Sequence, residues 1–484
     1  MRLHLLAAAT AITLILAGCA NSGGLHPDGT SLDPSSLKAE RSLAGVTISP
    51  AAWPTQDWWS GLGDAQLASL IDEALKDNPG LAAADARARQ AQAAAGEADA
   101  ARAPTVNGGA SVAGARLPDG LLSPTSHFAA AKYGYVSFNW GLDLWGGKRA
   151  AWEAALGQAR AAEIEAHAAR IELSGNVARA YVQLGYAYAQ QDVAKAEFER
   201  ASQSRVLTRQ RVAAGIDSKL QLKQNDAEVA SAERQQAEAN RAIDAARSAL
   251  SVLLGKGPDR GLDIARPQAL ATAALTVPAN LPVELLGHRA DLVAARWRVE
   301  ASSKDIKVAK TEFLPNVNLG AMAGLLNIGG GNLFEASSRF YEFGPTLSLP
   351  IFDGGRLRAN LAGKDAQYDL AVAQYNQTLV GALNQVADDY AAQQSMAEQI
   401  AAQQRALDAA RQAWQLAEQR YKAGVGSYLE ALSVRQQLLL AEQGMAALQA
   451  QHLDLSIQLI QALGGGYQPQ ADDVTPSSPS SSHS

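Results

Sequence analysis

Two stretches of this chain, residues 148–213 and 356–422, contain no proline at all. At 1.5 Å per residue, a helix of about 66 residues is a rod of roughly 100 Å. No globular core hosts such a rod, so it must lie in a coiled coil or a tubular wall. Alanine, roughly a fifth of the chain, supplies the means. It has the best helix propensity and lets neighbouring backbones approach closely.

The two stretches are copies of one pattern. Leu81-Ala-Ala-Ala-Asp resembles Leu292-Val-Ala-Ala-Arg, and Ala103-Pro104-Thr-Val-Asn107 resembles Leu314-Pro315-Asn-Val-Asn318. Gly146-Gly147-Lys148-Arg149 matches Gly354-Gly355-Arg356-Leu357, and Tyr181 pairs with Tyr390. Arg211-Val-Ala-Ala-Gly215 matches Arg420-Tyr-Lys-Ala-Gly424, and Leu254-Gly255 matches Leu463-Gly464. These landmarks keep their order at offsets of 208 to 211 residues. Chance likeness between alanine-rich helices gives one or two such matches, not six in register. The chain is a tandem duplication, with repeats at 64–255 and 285–464 joined by a linker at 256–284.

Each repeat opens with an amphipathic helical stretch, 64–103 or 285–313, that stops at a proline. Two alternating segments follow, at 104–116 and 133–145, then at 315–326 and 339–352. From Gly134 to Leu144 the even positions include Val136, Phe138, Trp140 and Leu142, whereas Tyr135, Ser137, Asn139 and Asp143 occupy odd ones. Period two signals a strand with one apolar and one polar face. Such segments are long enough for a tilted strand to cross a bilayer. The alternative is a soluble hairpin in a mixed domain. A long helix comes next, then a Gly-bearing turn and a second helix at 218–254 or 427–463. The Ser/Pro tail within 465–484 reads as partly disordered.

The N-terminus adds a membrane address. Met1-Arg2 precedes an apolar run from Leu5 to Ala17, ending Leu16-Ala17-Gly18-Cys19. This resembles the lipobox of a bacterial lipoprotein, and Cys19 is the single cysteine of the chain. Residues 1–18 then read as a signal peptide too short to span comfortably. Cleavage before Cys19 exposes it for acylation, and 19–63 becomes a lipid-anchored segment. Three acyl chains hold stably where one would not. Ala20 replaces the Asp that retains such lipoproteins in the inner membrane, so the outer membrane is expected.

Four strands are too few to close a barrel, for which about eight is the working minimum. An open sheet in lipid would leave its edge donors unsatisfied. Several chains must therefore share one barrel. Two would give eight strands around a filled interior; three would give twelve, enough for a channel.

These residues resemble the outer-membrane factors of Gram-negative efflux and secretion systems, the TolC/OprM-like proteins, and their NodT-type lipoprotein branch. The likeness runs from Trp58 to Gly465. Its most specific pieces are Trp58-Trp59-Ser-Gly-Leu-Gly-Asp64, Leu67 to Leu75 with Asn78-Pro79, and Arg289-Ala-Asp-Leu292. Pro350-Ile-Phe-Asp-Gly-Gly-Arg356 and Tyr421-Lys-Ala-Gly-Val-Gly-Ser-Tyr-Leu429 complete the set. The resemblance implies a mostly α protein with a transmembrane β-barrel portion. Three protomers, each with four strands and long antiparallel helices, would form a 12-strand barrel and a 12-helix periplasmic tunnel. The linker and the chain ends would supply an equatorial collar. A periplasmic adaptor and an inner-membrane pump, of RND type, would dock at the helical tip. The tip then comprises Arg211, Gly215, Ser218, Arg420, Tyr421, Gly424 and Ser427.

Relatives often carry acidic residues just after the second tip turn. Here the matching positions are Glu430 and Ser433, a candidate periplasmic gate that lacks its second acid. Ser427-Tyr-Leu-Glu430 also reads as a capping box, with Ser218-Lys-Leu-Gln221 as its counterpart.

Catalysis finds no foothold. The seven histidines are scattered, and no nucleophile elbow, dinucleotide fingerprint or complete phosphate loop is present. The chain is not expected to be an enzyme or to need a cofactor beyond lipid on Cys19. With 48 acidic against 42 basic residues, nothing points to nucleic acid. Three readings stand at this level: an efflux duct, the tunnel of a type I protein-secretion system, and a structural coiled-coil lipoprotein without a pore.

Overall fold

The computed structural model describes residues 23–39, 41–43, 53–117, 127–271, 281–328 and 331–469. Cys19 and the signal segment lie outside the described residues, as does the tail from 470. The elements are α1 (Ala65–Asp77), α2 (Pro79–Ala100), β1 (Thr105–Leu117), β2 (His127–Leu142), α3 (Gly147–Ala213) and α4 (Lys219–Leu253). After a short α5 (Asp259–Leu262) come α6 (Leu281–His288), α7 (Ala290–Thr311), β3 (Asn316–Ile328) and β4 (Arg339–Ser348). The long helices α8 (Arg356–Lys422) and α9 (Tyr428–Ala462) complete the chain. The protein is thus mostly helical, with one small antiparallel sheet. No helix among the described residues is long and apolar enough to cross a membrane.

The duplication is visible in the lengths. Helices α3 and α8 have 67 residues each, and α4 and α9 have 35 each. The long helices start alike. Asp143 accepts bonds from the N–H groups of Lys148 and Arg149, both at 2.9 Å. Asp353, 210 residues on, accepts from Gly355 at 3.0 Å and Leu357 at 2.8 Å. A carboxylate there satisfies donors that the first helical turn leaves unpaired.

Both opening helical stretches are broken, where the sequence pattern suggested one helix apiece. Asn78 is extended (ψ 123°) because the following Pro79 disfavours helical geometry before it. Its side chain donates to the Leu253 carbonyl at 2.7 Å. The second break, at Arg289, has no proline. There the guanidinium donates to the Ala462 carbonyl at 3.0 Å, the equivalent of Leu253 one repeat later. Gly464 presses against this break so closely that a Cβ would overlap the His288 carbonyl. The two repeats hold the same junction with different side chains.

The chain divides into two compact units, each drawing on both halves of the sequence. One comprises residues up to Ser31, 87–162 and 294–376, and contains the sheet. Its strands pair in the order β1-β2-β3-β4, all antiparallel, leaving one edge of β1 and one of β4 open. Three registers fix the faces: Val106 opposite Phe138, Phe138 opposite Ala321, and Ala321 opposite Phe343. That face also carries Val136, Tyr341 and Leu347, all well exposed in the protomer, with Phe343 81% exposed. The other carries Asn107, Ser137, Asn318, Glu342 and Thr346. Strand limits shift from the sequence reading for local reasons. β2 stops at Leu142 because Asp143 turns to cap α3, and β4 stops before Pro350, which has no N–H to give. In the same unit the N-terminal segment lies along α8. The Gly29 N–H donates to Asp369 at 2.6 Å, and the Asn376 amide donates to the Thr30 carbonyl at 2.9 Å. Leu25 packs on a cluster of Ile306, Phe313, Leu357 and Leu361.

The second unit comprises 32–86, 163–293 and the residues from 377 onward. Its core joins Trp58, Leu62, Leu67, Leu70, Ile71, Tyr181, Leu184, Leu250, Leu254 and Ile264. Burying each large aliphatic side chain contributes about 1.5–3 kcal/mol. The Trp58 to Asp64 motif is the entrance to this core. Residues Trp58–Leu62 form a 3-10 turn that ends at Gly63 (φ 81°), and Asp64 then caps α1. One oxygen of Asp64 accepts from the Gln66 N–H at 2.8 Å. The other accepts from the Tyr181 hydroxyl at 2.7 Å and the Gln268 N–H at 3.0 Å. Burial alone would raise this carboxyl, but the donated bonds outweigh it and hold Asp64 below the usual range. Its stabilisation is therefore complete at neutral pH. It is lost as pH falls below about 4 toward the lowered native value, since the unfolded state then binds more protons. Asp64→Asn should cost about 1–3 kcal/mol at pH 7, because an amide N–H would face the Gln268 donor. The difference from the parent protein should shrink on acidification, as read by chemical denaturation at pH 7 and pH 3.

Candidate functional site at the helical turns

The two turns that reverse the long helices are built alike. In the first, the Ile216 N–H reaches the Arg211 carbonyl at 2.9 Å, and Gly215 sits at φ 71°. In the second, the Val425 N–H reaches the Arg420 carbonyl at 3.0 Å, and Gly424 sits at φ 75°. These are Schellman-type ends, in which a left-handed glycine lets the chain recapture orphan carbonyls. No heavy atom lies within 4 Å of a Cβ built on either glycine, so backbone conformation rather than space demands them. Ser218 then caps α4 in a full box: its Oγ accepts from Gln221 N–H, and Gln221 Oε1 accepts from Ser218 N–H at 2.7 Å.

The second cap departs from the pattern. Ser427 Oγ accepts from the Glu430 N–H at 3.1 Å, but the return bond from Glu430 is not made. Its carboxylate lies 3.8 Å from the Arg420 guanidinium instead. Arg420 is available because its repeat has no counterpart of Asp217: the equivalent position is Gly426. Both side chains of this loose pair are about half exposed, so the attraction is weak.

In the first repeat the same arginine is fully engaged. Arg211 makes a two-pronged pair with Asp217, at 2.8 and 3.2 Å. Tyr421, from the other repeat, donates its hydroxyl to Asp217 at 2.9 Å, and Arg211 lies over the Tyr421 ring at 5.0 Å. Thr208 shares a hydrogen bond with the Tyr421 hydroxyl at 3.3 Å and accepts from Asn225 at 2.9 Å. Thr208 and Asn225 are fully buried. Burial would raise Asp217, but bonds from Arg211 and Tyr421 and the charge of Arg211 keep it lowered.

A second layer lies farther along the four helices. The Tyr428 hydroxyl donates to Glu228 at 2.7 Å, while burial pushes the Glu228 carboxyl up. Arg435 is buried and donates to Glu197 from Nε, at 2.8 Å, and from one Nη, and lies 3.4 Å from Glu442. Arg200 also binds Glu197, at 2.7 Å, and both guanidiniums lie within 6.0 Å of the Trp414 ring. A cavity of about 110 Å³ remains between these side chains. Glu197, Glu228 and Glu442 each have a hydroxyl or guanidinium partner, and these bonds tie the helices together. No group of three or more metal-ligating side chains occurs among the described residues.

Arg211 and Tyr421 are brought together, as are Arg420 and Glu430; Gly215, Gly424, Ser218 and Ser427 shape the turns. Ser433 is exposed on α9 and joins neither group. Asp217, Thr208, Asn225, Glu228, Tyr428, Arg435 and Glu197 were not anticipated. A signal for them was present: Thr208, Asn225, Asp217 and Tyr421 stand where the other repeat has Ala417, Val434, Gly426 and Val212.

Set beside known proteins, the whole chain has a clear kinship. The family model described as outer membrane efflux protein matches residues 70–256 and 281–465. The chain belongs to that family. It is an outer-membrane efflux channel protein. It is 37% identical over 365 residues to the fusaric acid resistance protein FusA of Burkholderia cepacia, covering 74% of this chain and 69% of the relative. It is 31% identical over 468 residues to the multidrug resistance outer membrane protein MdtP of Escherichia coli K12, covering 94% and 95%. Among solved structures, the outer membrane protein VceC of Vibrio cholerae superposes with a TM-score of 0.80 at 36% identity, covering 86% of this chain and all of that one. The family is one of channels rather than enzymes.

Tyr421→Phe removes the hydroxyl shared by Asp217 and Thr208 while leaving the Arg211 pair. The loss of about 1.4 kcal/mol should speed local opening roughly tenfold. Hydrogen exchange of the amides in 214–218 should report it, with the core around Tyr181 unchanged.

Proposed function

We propose that three copies of the chain close a 12-strand barrel in the outer membrane and a 12-helix tunnel beneath it. The duct would carry drugs or other small toxic solutes delivered by an inner-membrane pump through a periplasmic adaptor. The observation that carries this reading is the sheet: four strands, two open edges, and one apolar face exposed to solvent in the protomer. Backbone groups at those edges need partners in hydrocarbon, and only closure with further strands supplies them. The names of the relatives, resistance proteins for fusaric acid and multiple drugs, favour small solutes over the secretion of proteins.

In this reading the turns at Gly215 and Gly424 meet the adaptor, with Arg211, Ser218, Arg420, Tyr421 and Ser427 shaping them. Residues 256–284 and the chain ends contribute the collar. Cys19 carries lipid; Gly23, four residues later, sits beside Arg358 at the start of α8, next to the end of β4. That placement suits an anchor at the inner leaflet.

The decisive experiment combines mass and conductance. Solubilised protein should run as a trimer of about 150 kDa, three times 50.7 kDa, and should give single-channel steps in planar bilayers. A conducting monomer would refute strand sharing, and a trimer without conductance would refute the duct.

At the tunnel mouth, Glu430 and Arg420 would form a ring of opposed charges, with Ser433 adding none. A narrow low-dielectric mouth focuses such fields. Glu430→Gln should lower cation preference in reversal-potential measurements, whereas Arg420→Gln should raise it. Helix α9 should persist in both, because Ser427 still caps it.

A further inference from the structure

The polar face of the sheet holds a cluster that neither bilayer crossing nor tip docking uses. One row across the four strands reads Gly109, Tyr135, Gly324, Phe340. A Cβ on Gly109 would stand 2.7 Å from the Tyr135 ring, and one on Gly324 would stand 2.8 Å from the Phe340 ring. Each ring therefore leans across the glycine of the adjacent strand, an arrangement only glycine permits. Tyr133, from the next row, has its ring centroid 4.9 Å from that of Tyr135 and 5.7 Å from that of Phe340. The Tyr133–Phe340 planes differ by 14°, and the Tyr133 hydroxyl reaches Met322 Sδ at 3.4 Å. Glu342, two residues beyond Phe340 on the same face, is exposed, and its carboxylate has no hydrogen bond or ion pair among the described residues.

The apolar face of the sheet is the opposite one, so lipid does not account for these rings. Nor do they project as a plug: leaning over glycines, they lie along the wall with π faces left partly open. We propose that this cluster is a binding collar for flat aromatic cations on the exit path, with Tyr133, Tyr135 and Phe340 stacking the solute and Glu342 attracting its charge. The inference rests on the duct reading, in which the polar face lines the lumen and three copies contribute nine rings. Ring faces attract cations and stack on flat aromatics, and a carboxylate nearby adds sign selectivity. The row lies four residues along β1 from Thr105, where the strand leaves the helices, and eight from Leu117, so on this strand the collar stands just beyond the helices. A solute there has already left the helical tunnel. Weak, multiple sites at that point would ease it out of a crowded lumen without trapping it.

The test uses the full-length trimer in a planar bilayer, with ethidium added to the chamber facing the strand hairpins. Tetraethylammonium serves as a cation without rings and 2-naphthalenesulfonate as an aromatic anion. Ethidium should reduce the current at concentrations where neither control does. Replacing Tyr135 and Phe340 together by Leu should raise the half-blocking concentration about fivefold or more, in the range of a lost ring–cation contact. Glu342→Gln, which leaves the rings in place, should raise it about threefold. Equal block by the aromatic anion, or unchanged ethidium block in both variants, would overturn the collar. Normal conductance with no ethidium block would overturn it alone, whereas absent conductance in the parent protein would overturn the duct and the collar together.

Discussion

An antiparallel sheet of four strands has two open edges, and hydrocarbon cannot hydrate them. In water those edges would be a modest liability; in a bilayer each unpaired N–H or C=O costs several kcal/mol. In the proposed barrel the chain would meet that demand with strands that gather Val106, Val136, Phe138, Tyr341 and Phe343 on one face and leave one edge of β1 and one of β4 to pair with further strands. The rest of the molecule is arranged around that requirement. Asp143 and Asp353 cap the first turns of the long helices, with four and seven residues between these helices and the ends of β2 and β4.

Duplication supplies the rods in matched pairs, and divergence then fits them to each other. At the breaks between short helices, Asn78 and Arg289 do one job with an amide and a guanidinium. At the turns the opposite has happened. Arg211 and Arg420 are the same residue at the same place, yet one is locked by Asp217 and Tyr421 and the other is loosely paired with Glu430. Identity of residue does not give identity of role when the partner has changed.

The features legible in the sequence were those with a period or a forbidden residue. Absence of proline marked α3 and α8 to within a residue, and alternation marked four strands, though β2 begins six residues before the expected start. Glycine at 215 and 424 marked turns that do adopt positive φ. What escaped had no period. The break at Arg289 packs against Gly464, 175 residues away, a contact that the local sequence does not show. Glu430 fitted a capping box by spacing, but an arginine ten residues earlier competed for its carboxylate. Tyr135 counted as one more member of a polar face; only the glycines on either side of it, revealed by strand register, show a stacked cluster.

The interlock between Tyr421 and Asp217 also bears on descent. A half-length ancestor assembling as six identical copies would have needed one turn able to face itself. The present turns cannot do so: two copies of the first would set Asp217 against Val212, and two of the second would leave Tyr421 facing Gly426. With the donor in one half and the acceptor in the other, each half depends on the other for this bond. Reversing the order of the two halves along the chain would keep every one of these contacts. The fold is therefore bound to having two unlike halves, but not to which of them is made first.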